Sequence, residues 1–157
     1  MYCAEHLVQL HLPPTTDQIA ALDARILVVS FAALPQLQHW VPYFHLKYVA
    51  PHYAQLNLPV PEDVLARTRF LTDPTLAAYH TYGLGRNSLL RVYGPLILWQ
   101  YLRWFIQRKP VHRPNQDTLQ RGGNFVVNRA GIITLAHTGR DQTERPTVAD
   151  IIAALRQ

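Results

Sequence analysis

The sequence predicts an α/β domain in three layers, a mixed sheet between helices, and three observations carry that prediction. "RILVVSF" is apolar at every position from Ile26 to Val29, the signature of a strand buried on both faces in a parallel sheet covered by helices. "NFVVNRAGIITLAH" holds two apolar runs around Asn128, Arg129, Ala130 and Gly131, which reads as a hairpin with Gly131 in the left-handed position beside a bulge. Proline-led and polar-capped helical stretches alternate with these strands. The 157 residues, 48% apolar and 16% charged, suffice for one core, so residues 1–157 are expected to form a single domain.

In order along the chain, "CAEHLVQLH" places Leu7 and Leu10 three apart, with Cys3 four before Leu7, as on one face of a short helix. Pro13 and Pro14 stop it, since neither can donate a backbone hydrogen bond. "TTDQIAALDA" restarts with Thr16 or Asp17 as the candidate N-cap. After the strand "RILVVSF", the residues Leu34, Leu37, Val41, Phe44 and Tyr48 make a helical stripe with Pro42 disturbing its middle. Residues 50–66, with Pro51, Pro59 and Pro61, read as an extended connection ending in a short turn of helix.

"TRFLTDP" offers a second strand, and Asp73 before Pro74 starts a helix that Gly83 ends. A further proline-led helix is expected from Pro95 to Arg108, gathering Trp99, Leu102, Trp104 and Phe105 with Arg103. The polar stretch "KPVHRPNQDTLQRGG" leads into the hairpin. Thr147 then caps "VADIIAALRQ", with Asp150 completing a capping-box spacing and Ile151, Ile152 and Leu155 forming the buried stripe. A parallel strand pair followed by a hairpin and a closing helix is the connectivity of a thioredoxin-type fold. The strand that opens that fold lies outside the sequence, which begins at the helix.

The charge of +5 is local. Residues 84–129 hold eight cations against one acid, a net of +7, and the remainder of the chain nets −2. Such a concentration suits a partner surface better than general solubility. The single cysteine excludes an intramolecular disulfide and fits a reducing compartment. No signal peptide is legible at the N-terminus, and the longest apolar stretches are too short for a membrane span. The expectation is a cytoplasmic chain without a transmembrane segment.

The blocks "CAEHLVQL", "ARILVVSF", "FLTDPTLAAYHTYGLGR", "LQRGGNFVVNRAGIITLAH" and "DQTERPTVADIIAAL" resemble successive blocks of the alkyl hydroperoxide reductase/thiol-specific antioxidant (AhpC/TSA) family of peroxiredoxin-like proteins. The likeness runs from Cys3 to Leu155, with 42–66 reading as an insertion. Residues 89–119 resemble the basic, aromatic segment that some relatives carry before their glycine pair. The resemblance implies a thioredoxin-like fold and a thiol oxidoreductase that reduces a peroxide or disulfide. It also implies an external thiol reductant and no cofactor. Members of the group often carry a Cys-x-x-Cys ahead of this helix; Cys3 falls on its second cysteine, and the first would lie just before Met1.

Cys3 is therefore the candidate catalytic residue. At a helix N-terminus the unpaired amides and the macrodipole favour thiolate over thiol. Gly122, Gly123 and Asn124 are the candidate loop near the thiol, because glycine permits close approach. Arg91, Arg103, Arg108, Lys109 and Arg113, interleaved with aromatics, form a candidate partner surface for a membrane surface, nucleic acid or an acidic protein face. The same stripe reads equally as core packing or as a homodimer contact, and no specific nucleic-acid motif accompanies it. A non-catalytic thioredoxin-like interaction module using 91–113 is thus the alternative to the enzyme. His6 and His11, or His39 and His45, lack the i,i+3 or i,i+4 spacing of helical metal ligands. Ser30 and Ser88 sit in no nucleophile-elbow sequence.

Overall fold

A computed structural model describes residues 2–86, 119–139 and 144–157. The architecture is mixed α/β. Strands β1 (Ile26–Ser30) and β2 (Thr68–Thr72) pair in parallel, Ile26 opposite Thr68 and Ser30 opposite Thr72. Strands β3 (Gly123–Val127) and β4 (Ile133–Thr138) pair antiparallel, with the register shifting between Val126 and Val127. Gly131 takes φ +79° in the connecting turn. The Asn128 side-chain oxygen accepts from the amides of Ala130 and Ile132, so the hairpin closes as the sequence predicts. Among the described residues these are two separate two-stranded sheets.

The helices are α1 (Tyr2–Gln9), α2 (Thr15–Ala21), α3 (Leu34–Phe44), α4 (Ala50–Gln55), α5 (Ala77–Thr81) and α6 (Val148–Leu155). Five differ in detail from the sequence reading. In α1 the residues Ala4 and Val8 are buried, whereas Leu7 is only partly so. Helix α2 starts at Thr15 behind Pro14, with no side-chain cap from Thr16 or Asp17. Pro42 lies inside α3 without ending it; the helix runs two residues further into a π-helical turn, His45–Val49, and then directly into α4. Pro51 stands in the first turn of α4, and residues 50–55 are helical instead of extended. Asp73 does accept from the amides of Ala77 and Ala78 (3.0 and 2.8 Å), yet Leu76 at φ +60° delays α5 to Ala77.

Two hydrophobic cores follow. The first joins Ala4 and Val8 of α1 to Phe44, Val49 and Tyr53, with Trp40 stacked on Phe44 at 5.0 Å. The second sets Ile151 and Ala154 of α6 against Val126 of β3, with Leu10 at its margin. The expected capping box of α6 is present: the Thr147 hydroxyl accepts from the Asp150 amide and the Asp150 carboxylate accepts from the Thr147 amide, both at 3.1 Å. Strand β1 is only partly covered, and Leu27 is 62% exposed. The predicted burial on both faces is therefore incomplete. The helix expected from Pro95 to Arg108 lies outside the described residues.

Candidate functional site

A cavity of about 510 Å³ lies between the two sheets. Residues 24–29 line one side and 122–127 the other, while His6 and Leu7 of α1 and Leu10 just beyond it close the cavity together with Tyr79, Tyr82 and Leu84. The structure thus brings the helix that carries Cys3 and the candidate loop Gly122, Gly123 and Asn124 to one space. Cys3 is the second residue of α1, and His6 follows it by three positions, one helical turn along.

Gly123 occupies a tight spot. A methyl group there would meet Leu84 Cδ2 and Phe125 Cε2 at 2.8 Å and the His137 carbonyl oxygen at 3.2 Å. Gly122 has open space on all sides. Only one of the two glycines is required for close approach, which the sequence pattern GG could not divide.

His6 was weighed in the sequence only as a metal ligand, and the structure gives it another character. Its Nε2 is buried without a hydrogen-bond partner. Burial, followed by the nearby Arg145 guanidinium and the neighbouring His137 ring, lowers its pKa below the ordinary histidine value, so the ring is neutral near pH 7. The signal that could have found it is the three-residue spacing from Cys3 at the head of a helix. His137 also holds a buried Nε2 without a partner.

The position of α1 is set by a buried polar network on its far end. His11 is 1% exposed; its Nδ1–H donates to the Leu7 carbonyl at 2.8 Å, which leaves Nε2 to accept from the Thr68 hydroxyl at 2.8 Å. The Tyr53 hydroxyl donates to the His11 carbonyl at 2.9 Å. Helix α1 is thereby tied to β2 and α4 at once. Burial lowers the His11 pKa, only partly offset by the Leu7 carbonyl, in keeping with a neutral ring.

Among the described residues, no three His, Cys, Asp or Glu side chains converge as a metal site would require. The Ser30 hydroxyl accepts from the Ala32 amide at 3.1 Å and serves the turn after β1. Ser88 and the candidate partner surface of Arg91, Arg103, Arg108, Lys109 and Arg113 lie outside the described residues. Among the described residues, no helix is long and apolar enough to cross a membrane. Comparison with protein-family models, with curated proteins and with solved structures gives no match.

Proposed function

We propose that the chain is a peroxiredoxin-like thiol oxidoreductase of AhpC/TSA type with a thioredoxin-like fold, and that Cys3 is its redox residue. One observation carries the reading: α1 and the segment of Gly122, Gly123 and Asn124 border a single cavity, the relation a thiol at a helix start needs to a close-approaching loop. The α/β order, with a parallel pair, a hairpin and a closing helix, supports the same fold.

The chemistry follows from the groups present. The amides at the head of α1 favour a thiolate at Cys3. Neutral His6, with its free Nε2, can take the thiol proton. The thiolate attacks one peroxide oxygen, forming an S–O bond as the O–O bond breaks; the departing alkoxide or hydroxide takes up a proton. Cys3 is then a sulfenic acid. With no second cysteine in the chain, an external thiol attacks this sulfur and expels water, and a second external thiol releases Cys3 as the disulfide departs.

The test is peroxide treatment of the folded protein in the presence of a 1,3-dione sulfenic-acid probe, followed by peptide mass spectrometry. A probe adduct on Cys3 and loss of peroxide consumption in Cys3→Ser are expected. No adduct on folded protein at any peroxide concentration that leaves it folded refutes the reading. His6→Ala is expected to slow adduct formation and move its pH profile upward.

A further inference from the structure

We propose that the outer face of the helical path formed by α3, the π-helical turn and α4 docks on the surface of a lipid bilayer that contains anionic lipid. The inference goes beyond the thiol chemistry and does not depend on it.

The inner face of this path is closed by packing. Leu37, Phe44, Val49 and Tyr53 are buried, and Trp40 meets Phe70 of β2 edge-on at 6.1 Å. The helices thus form a layer over β2, and their other side is the outside of that layer. There Leu46 is 65% exposed, Leu34 55% and Tyr43 50%, and Leu56 and Leu58 just past α4 are also exposed. Pro42, one turn before Leu46, and Ala54 of α4 are exposed between them. Single exposed leucines are ordinary. A helical path that is apolar on both sides, however, calls for an apolar medium on the second side as well.

Charge decides which medium. Residues 24–61 contain no carboxylate, and with histidines neutral Lys47 is the only charged side chain from Ile26 to Pro61. Among the described residues, the ion pair on this path joins His52 to Glu5 of α1 at 3.8 Å, and His52 stands one turn from buried Val49, towards the inner side. The outer face therefore presents nothing that an anionic headgroup would repel. Lys47 has an aliphatic stem, so its ammonium can stay among lipid phosphates while Leu46 and Tyr43 enter the acyl boundary to about 5–10 Å.

A second copy of the chain fits this face less well. Leu46 lies midway between Leu34 and Leu58, so a two-fold contact centred on the face sets Lys47 near its own copy, with no carboxylate on the face to answer either charge. The area is also small. At about 1.5 Å per residue the path from Leu34 to Gln55 is about 33 Å long. A strip about 10 Å wide along it offers about 330 Å², against about 800 Å² per partner in a stable protein interface. A bilayer sets no such minimum, because binding grows with each apolar side chain that enters and each cation near the surface.

The experiment is co-sedimentation of the full chain with vesicles of phosphatidylcholine and phosphatidylserine in equal parts, and with vesicles of phosphatidylcholine alone. Binding to the mixed vesicles that weakens with salt is expected. Leu46→Gln should weaken it about tenfold, and Lys47→Gln about fivefold on the mixed vesicles only. Both side chains are exposed, so the urea midpoints of the two variants should match the parent. In the Cys3→Ser chain, an environment-sensitive dye on Leu46→Cys should brighten with vesicles, while the same dye on Leu71→Cys stays dim. Leu71 is 46% exposed but follows Phe70 in β2, so it points away from Trp40 on the opposite side of that sheet. Four outcomes overturn the proposal: no vesicle binding; binding that neither variant weakens, which would belong to another surface such as the basic segment from Arg91 to Arg113; equal brightening of the two dyes; or brightening at Leu46→Cys without vesicles as protein concentration rises, which would give the face to a second copy.

Discussion

Replacing Thr68 by valine tests whether the His11 network holds α1 in place. The substitution keeps the shape of the side chain and deletes the hydroxyl that donates to His11 Nε2. Both residues are buried, at 5% and 1% exposure, so no water replaces the donor without rearrangement. A buried acceptor left unpaired costs about 1–3 kcal/mol, against which the extra methyl recovers up to about 0.8 kcal/mol. The net expectation is a loss of about 1–2 kcal/mol. With a urea slope of about 2 kcal/mol per M, the unfolding midpoint falls by about 0.5–1 M at pH 8. His11→Leu in the Thr68→Val background removes the orphaned acceptor, and the Leu7 carbonyl keeps its bond from the Leu10 amide. The double variant should be less destabilised than the sum of the singles by about 1 kcal/mol.

The network also sets a pH dependence. His11 has a lowered pKa when folded and an ordinary one, about 6.5, when unfolded. The unfolded chain therefore binds the proton more readily, and stability declines as pH drops below about 6.5 towards the folded pKa. Above about pH 7.5 this histidine contributes no slope. His11→Leu should flatten the decline. A Thr68→Val midpoint within 0.1 M of the parent, or an unchanged slope in His11→Leu, would refute the account of α1.

The two glycines of the loop should behave differently. Gly123→Ala forces a methyl against Leu84, Phe125 and the His137 carbonyl, with an expected loss of about 1–3 kcal/mol, while Gly122→Ala stays within about 0.5 kcal/mol of the parent; equal midpoints for the two would contradict the assignment. Thr147→Ala removes half of the α6 capping box and should cost about 1 kcal/mol by denaturant titration. The Thr147 hydroxyl and amide hold the Asp150 pKa below the usual carboxylate value. That stabilisation is present above the ordinary pKa and is lost as pH falls through the lowered one, so the difference between Thr147→Ala and the parent should shrink in strong acid.

Features legible in the sequence were those fixed by neighbours a few residues away. Thr147 and Asp150 announce the cap of α6, Gly131 the turn, and the uninterrupted run from Ile26 to Val29 the strand, because each depends on backbone chemistry within one turn of chain. Pro42 and Pro51 misled for the same local reason. Proline removes one donor, which breaks an isolated helix, but packing of Trp40, Phe44, Tyr48 and Val49 holds α3, the π-helical turn and α4 in one helical path. The candidate site was legible as separate pieces only. Cys3 and the glycine pair stand more than a hundred residues apart, and nothing in either stretch states that a cavity joins them.

That cavity gives α1 two unrelated duties. Ala4 and Val8 anchor it in the first core, with Leu10 just past its end reaching the second, and His6 and Leu7 face the space between the sheets. The element carrying the candidate thiol is thus also a wall of that cavity. A change beside His6 alters the surroundings of the proton acceptor proposed for Cys3. Arg145→Gln takes away a positive charge that helps to hold the His6 pKa down, so the pH profile of Cys3 labelling by peroxide and probe should move upward. A profile unchanged across pH 5–9 would remove His6 from the thiol chemistry.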